Sequence, residues 1–170
     1  IMVELPGIKE PERVRKLLQG SANLEFWETF EAKEIVPVLA SADSRAISGL
    51  SMGGMFTLYV GVPNTDKFHY LGVFSSGWFA KSSPFMNADK ERDANYAYID
   101  NNVSLLNNNL KQFFITIGGK PDIAYDNCQI MMQHLKQKGV KFDYYDSKEG
   151  GHTWPVWRED LYLFAQKLFK

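Results

Sequence analysis

Residues 45–54 read Arg45-Ala46-Ile47-Ser48-Gly49-Leu50-Ser51-Met52-Gly53-Gly54, and their pattern decides the fold. The small, apolar run at 45–48 predicts a strand, and 52–60 predicts a helix directly after it. Between them lies G-x-S-x-G, a sharp strand-to-helix turn that lifts a serine above the sheet edge. A serine hydroxyl is a weak nucleophile unless it is exposed and held near a base. The turn brings strand and helix close together, so small residues are expected two before and two after Ser51. Gly49 and Gly53 stand there, and Gly54 eases the packing further. The Met52 amide, at the positive start of the helix, is then aimed at a developing oxyanion. At ordinary glycine and serine frequencies the five-residue pattern arises in roughly one chain in twenty of this length. The flanking strand and helix therefore carry more weight than the pattern alone.

A base is needed late in the chain, and there are three histidines. His69 begins a predicted strand, and His134 lies inside an amphipathic helix away from its apolar stripe, so both read as structural or solvated. His152 sits in Glu149-Gly150-Gly151-His152-Thr153-Trp154-Pro155, a flexible loop between a strand and the last helix. Loops at the C-terminal edge of a parallel sheet are where such folds carry active groups. His152 is expected to take the Ser51 proton and later deliver it to a leaving alcohol. Asp122 is the expected orienting carboxylate. It follows the strand at 113–117 through Gly118-Gly119-Lys120-Pro121, which puts it at the same edge. Asp126 would fall inside the next helix, and Asp143 and Asp146, on or after the following strand, read as facing solvent. The order Ser, Asp, His is the one this fold uses.

Elsewhere, strands are expected at 2–5, 24–27, 70–74, 113–117 and 141–145, and helices at 11–18, 32–39 and 123–138. A final helix carries Trp157, Leu161, Phe164 and Leu168 on one face. Residues 80–110, rich in Asn, Asp and Lys, predict a surface excursion with a weak helix near 103–106. Strands alternating with helices predict an α/β fold, a mostly parallel sheet covered by helices on both faces.

With 170 residues, 45% hydrophobic and 23% charged, the chain can build one domain around a real core. A net charge of −1 argues against nucleic acid or an anionic membrane as main partner. No apolar run reaches the length of a membrane span. Ile1-Met2-Val3-Glu4-Leu5 lacks the basic start and long apolar stretch of a signal peptide. Cys128 is the single cysteine, so no internal disulfide is expected; it falls on the apolar stripe of a predicted helix and reads as a small buried residue. There is no H-E-x-x-H, and no Lys-Ser or Lys-Thr follows the glycines of 49–54, so neither a metal centre nor a phosphate cradle is expected. The four tryptophans fit a cleft for ring-shaped ligands or a packed core equally well.

Three segments together carry a family resemblance. Ala46-Ile47-Ser48-Gly49-Leu50-Ser51-Met52-Gly53-Gly54-Met55 resembles the nucleophile segment of the esterase D and feruloyl esterase-like family of α/β-hydrolases. Asp66-Lys67-Phe68-His69-Tyr70-Leu71-Gly72-Val73-Phe74-Ser75-Ser76-Gly77 is similar to its next strand. Gly150-Gly151-His152-Thr153-Trp154-Pro155-Val156-Trp157-Arg158 resembles its histidine loop, and Leu168-Phe169 also fits. The resemblance runs from about residue 33 to the end. It implies a serine carboxylic ester hydrolase with no metal or organic cofactor, acting on a small ester or an acylated oligosaccharide. The Gly150-Gly151 pair and Thr153-Trp154 are closer to the xylan-associated branch, whose members cleave feruloyl or acetyl esters and are often exported or joined to carbohydrate-active modules. By the same resemblance, Trp78 and Trp154 are candidate contacts for the acyl or sugar part, with packing against the sheet edge as the alternative for each.

The front of the chain reads differently. From Ile1-Met2-Val3-Glu4-Leu5-Pro6-Gly7 to Asn23-Leu24-Glu25-Phe26-Trp27 it resembles a stretch of the protein-export membrane protein SecD. Two parts are therefore expected, a SecD-like segment at 1–31 and the C-terminal part of an esterase domain at 32–170, with the fold's N-terminal strands incomplete or replaced. No His-Gly precedes Ser51, although the family commonly draws its second oxyanion amide from such a loop. The alternative expectation is thus a chimeric or truncated fragment that acts at most as a binding domain.

Overall fold

The computed structural model describes residues 45–78 and 88–170, all within the unit Lys33–Lys170. The strands expected at 2–5 and 24–27 and the helices expected at 11–18 and 32–39 lie outside the described residues. Strands β1 (Ala46–Leu50), β2 (Tyr70–Phe74), β3 (Gln112–Ile117) and β4 (Asp143–Asp146) form one sheet in the order β1-β2-β3-β4. All three pairings are parallel. The helices are α1 (Met52–Gly61), α2 (Ala88–Asn109), α3 (Tyr125–Lys138) and α4 (Trp154–Ala165).

The sequence explains why the sheet is covered on both faces. β2 reads Tyr-Leu-Gly-Val-Phe and is buried at every position, as a strand between two helical layers must be. Alternate side chains supply two cores. Ile47, Leu71, Val73, Phe113, Ile115 and Ile117 face one layer, where Leu58 of α1, Ile99 and Leu106 of α2, and Cys128, Met131 and Leu135 of α3 pack on them. Tyr70, Phe74 and Phe114 face the other layer and Phe164 of α4. Phe164 lies flat over Phe114 at 6.1 Å and edge-on to Phe74 at 5.7 Å. Helix α3 stops at Gly139, whose left-handed φ of 80° lets its N–H and that of Val140 return to Lys136 and Leu135.

Two expectations are corrected here. Residues 88–109 form a 22-residue helix, kinked at Asn102, where a surface excursion was expected. Its apolar signal is a spaced one: Tyr96, Ile99, Val103, Leu106 and Leu110 recur every three or four residues and meet the core, while asparagines dilute the average around them. Those asparagines have structural partners. Asn101 and Asn102 bond back to Ala97 and Tyr98, which accompanies the kink, and Asn107 bridges Gly139 and Lys141. In α4 the buried stripe is Val156, Asp160 and Phe164, whereas Leu161 is 54% exposed. The helix is rotated from its expected face, anchored by Phe164 against Phe74 and Phe114, and this turns a carboxyl, Asp160, inward.

Truncating Ile99 tests the α2 packing. Ile99→Ala is expected to cost about 2–5 kcal/mol in denaturant unfolding, as for other fully buried aliphatics; a cost below about 0.5 kcal/mol would mean that α2 does not dock on this core.

Candidate active site

Because the four strands run parallel and in register, their C-terminal ends form one edge, and the segments leaving it converge. Ser51 leaves β1, Ser75 to Gly77 leave β2, Gly118 to Asp122 leave β3, and Ser147 to His152 leave β4. Four hydrogen bonds tie these exits together. The Ser51 N–H donates to the Phe74 carbonyl, Ser75 to Thr116, and Ser147 to Ile117, each at 2.9 Å; the Gly151 N–H donates to Gly118 at 2.7 Å.

Ser51 has φ 52° and ψ −119°, a conformation a serine adopts only under constraint. The constraint is visible in its neighbours. A side chain on Gly49 would run into the backbone of Gly53, and one on Gly54 would meet the Ser76 Cβ at 2.6 Å. Gly53 itself faces open space, so the tight positions are 49 and 54 rather than 49 and 53. The expected need for glycine two residues after the serine is corrected accordingly: the helix approaches β2 one residue later.

His152 stands between Ser51 and Asp122. Its Nε2 is 3.0 Å from Ser51 Oγ, and its Nδ1 is 2.8 Å from Asp122 Oδ1. Asp122 is fully buried at its side chain and receives the Gly118 N–H at 3.1 Å and the Ala124 N–H at 2.9 Å. Burial alone pushes its carboxyl up; the nearby Ser75 hydroxyl, the two amides and His152 outweigh this and hold it below the ordinary carboxylate range. Of the carboxylates considered, Asp122 is the one in contact with His152. Asp143 instead pairs with Lys167 at 2.9 Å and Gln112 at 3.1 Å, and Asp146 accepts the Lys148 N–H at 2.7 Å. His134 binds Asp100 at 2.8 Å, on the α2–α3 surface.

The tryptophans divide. Trp154 is 67% exposed and stands edge-on to Trp157, which in turn stands edge-on to His152 at 4.9 Å. It is on the rim. Trp78 is 1% exposed and packs at 4.9 Å against Tyr96 of α2 with its ring tilted by 58°, in the core and not in the cleft. The preceding Gly77 passes so close to the Asn127 backbone that a Cβ there would stand 2.8 Å from it. A small cavity of about 70 Å³ opens beside Ser51 and His152, walled by Ser75, Ser76, Gly77, Ile123, Ala124 and Asn127. Sequence reasoning missed these wall residues. The signal for Ser75 and Ser76 was present, since they leave an apolar strand at the same edge as Ser51. Among the described residues, no three His, Cys, Asp or Glu side chains gather as metal ligands, and no helix is long and apolar enough to cross a membrane.

Behind the edge lies Asp160, fully buried beside the Thr116 hydroxyl. Burial pushes its carboxyl up to about 7; Thr116 lowers it, and the charges of Glu159 and Asp122 raise it. In the unfolded chain such a group ionises near pH 4. Between about pH 4 and 7 the unfolded chain therefore binds fewer protons than the folded one, and stability falls as pH rises through that window.

Comparison with known proteins gives the family. The Esterase family model matches residues 9–167. The chain is 28% identical over 158 residues to an endo-1,4-beta-xylanase/feruloyl esterase of Xylanibacter ruminicola, covering 89% of this chain and 19% of that protein. A second, shorter match is 69% identical over 26 residues to the protein translocase subunit SecD of Rhodothermus marinus, 15% of this chain and 4% of that one. Among solved structures, a feruloyl esterase module from Clostridium thermocellum complexed with sinapinate superposes with a TM-score of 0.60 at 23% identity, covering 78% of this chain and 48% of that one. An S-formylglutathione hydrolase from Staphylococcus aureus gives 0.57 at 18% identity, covering 92% and 58%. The likeness to these structures concerns the α/β-hydrolase fold. The chain belongs to the Esterase family and spans about a fifth of the length of its xylanase/feruloyl esterase relative.

Two outcomes check this site. Gly49→Ala is expected to prevent stable folding, whereas Gly53→Ala should raise thermal stability by up to about 1 kcal/mol, because it adds a helix former in open space. Asp160→Asn should remove the loss of stability between pH 4 and 7 and be more stable than the wild type at pH 8 by roughly 2–4 kcal/mol; parallel pH–stability curves for the two proteins would contradict the buried neutral carboxyl.

Proposed function

We propose that this member of the Esterase family hydrolyses carboxylic esters, with Ser51 as nucleophile, His152 as general base and acid, and Asp122 as the carboxylate that orients it. The observation that carries the reading is the unbroken run from Asp122 Oδ1 through His152 to Ser51 Oγ, at 2.8 and 3.0 Å. Asp122 selects the histidine tautomer with its proton on Nδ1, which leaves Nε2 free to accept. In this reading the Ser51 oxygen attacks the ester carbon while its proton passes to His152 Nε2. The carbonyl electron pair moves onto oxygen, which the Met52 N–H at the start of α1 stabilises. Collapse breaks the bond to the alcohol, which leaves with the proton from His152. A water then repeats the sequence on the acyl-enzyme: its proton goes to His152, and collapse returns a proton to Ser51 and frees the carboxylic acid.

The substrate we favour is a feruloyl or acetyl ester on plant xylan or an oligosaccharide derived from it. The relative named as endo-1,4-beta-xylanase/feruloyl esterase supports this choice, and so does the sinapinate complex of the structural neighbour. The cavity at Ser51 suits the ester group and a short acyl chain. A longer acyl or a sugar would extend over the exposed Ile123 and Trp154. No nucleic acid or membrane partner enters the reading.

A second reading keeps the chain as two joined parts, a SecD-like segment at 1–31 and an esterase fragment at 32–170 without turnover. The SecD match favours it, as does the division of the chain at Lys33. One experiment separates the two. A fluorophosphonate probe followed by peptide mapping should label Ser51, and Ser51→Ala and His152→Ala should abolish labelling. A folded wild-type sample that takes no label supports the second reading. Asp122→Asn should lower kcat about 10⁴-fold in a chain that still folds; undiminished turnover would remove Asp122 from its role.

A further inference from the structure

The Ser51 carbonyl has two donors. It accepts the Met55 N–H at 3.2 Å, as the first turn of α1 requires, and the Ser76 hydroxyl at 2.6 Å. Ser76 comes from the far side of the site, 25 residues later, and is 4% exposed. It can approach because residue 54 has no side chain: a Cβ there would stand 2.6 Å from the Ser76 Cβ and 3.0 Å from its Oγ. The Ser51 carbonyl and the Met52 N–H are opposite ends of one peptide unit. That unit is planar, so fixing the direction of one end fixes the other. A donor on the carbonyl also polarises the unit and makes its N–H a stronger donor.

We propose that Ser76 is a positioning residue that aims the Met52 N–H at the oxyanion, acting through the peptide plane it grips at the Ser51 carbonyl. The inference rests on the reading of Ser51 as nucleophile and of the Met52 amide as oxyanion donor. It adds a reason for two features that reading leaves unused, the glycine at 54 and a serine directed at a carbonyl that already has its helical partner. The Ser76 hydroxyl donates to the Ser51 carbonyl, whereas His152 bonds Ser51 Oγ and Asp122, so its effect is expected on the oxyanion side of the reaction.

Phosphonylation kinetics test this. When Ser51 reacts with a fluorophosphonate, its oxygen bonds to phosphorus, the P–F bond breaks, fluoride leaves and the proton passes to His152; the phosphoryl oxygen lies where the oxyanion forms. Ser76→Ala is expected to slow labelling roughly ten- to a hundredfold, less than the loss of a whole oxyanion donor. The final labelled fraction and the pH of half-maximal rate should not move, while the unfolding midpoint falls only by the loss of one buried hydrogen bond. Recovery of rate in Ser76→Thr, which keeps the hydroxyl, supports the assignment. An Ser76→Ala rate equal to the wild type overturns it. So does a change confined to the labelled fraction or to the pH midpoint, which would mark Ser76 as a support for the fold or for His152. A wild-type chain that takes no label at all fails earlier, at the nucleophile itself, and removes the ground for this inference.

Discussion

The hydrogen bond from the Gly151 N–H to the Gly118 carbonyl joins the two loops that carry the proposed base and its carboxylate. It forms because nothing lies between the two backbones. A side chain on Gly118 would collide with Gly151, and one on Gly119, at φ 75°, would collide with Lys148. The loops after β3 and β4 therefore touch main chain to main chain, and Asp122 and His152 project from a common, inextensible base. A contact made by side chains could adjust by a rotamer; this one cannot. The 2.8 Å separation of Asp122 and His152 follows from it.

The same edge holds two buried carboxyls in opposite states, and the difference lies in their surroundings. Asp122 receives two main-chain amides and the imidazole, and it stays ionised. Asp160 meets a threonine hydroxyl and apolar surface, and it stays neutral up to about pH 7. With so few donors Asp160 stays protonated below about pH 7, and there the charge of this pair rests on Asp122. The arrangement costs stability at neutral pH, and it keeps the electrostatics of the edge simple.

Much of this was legible in the chain. The elbow, the order Ser51, Asp122, His152 and the parallel sheet rest on local rules: glycine where backbones close up, apolar runs where strands are buried twice, and active loops at one end of the sheet. What escaped were features that need a partner to become visible. The helix at 88–109 has too low an average hydropathy to announce itself, and its five apolar positions count only once β2 and β3 are behind them. Asp160 reads as surface because a carboxyl usually is; nothing in its neighbours declares that α4 turns it inward. Trp78 was a candidate contact by family resemblance, with packing as the alternative, and only its burial against Tyr96 of α2 speaks for packing. Gly53 looked indispensable by its spacing, yet the actual obstacle, Ser76, lies 23 residues further on in another element.

Ser51, Ser75 and Lys148 all have positive φ, and all three belong to segments leaving the same sheet edge. Each holds a conformation that glycine would adopt without penalty, at a cost of order 1–3 kcal/mol apiece. For Ser51 this has an evolutionary consequence. The single replacement that relaxes its backbone, Ser51→Gly, is also the one that deletes its hydroxyl. Selection for robustness alone would drift toward the relaxed residue. A serine held in this turn thus costs the fold stability that glycine would restore, and the hydroxyl is the one thing that glycine would not supply.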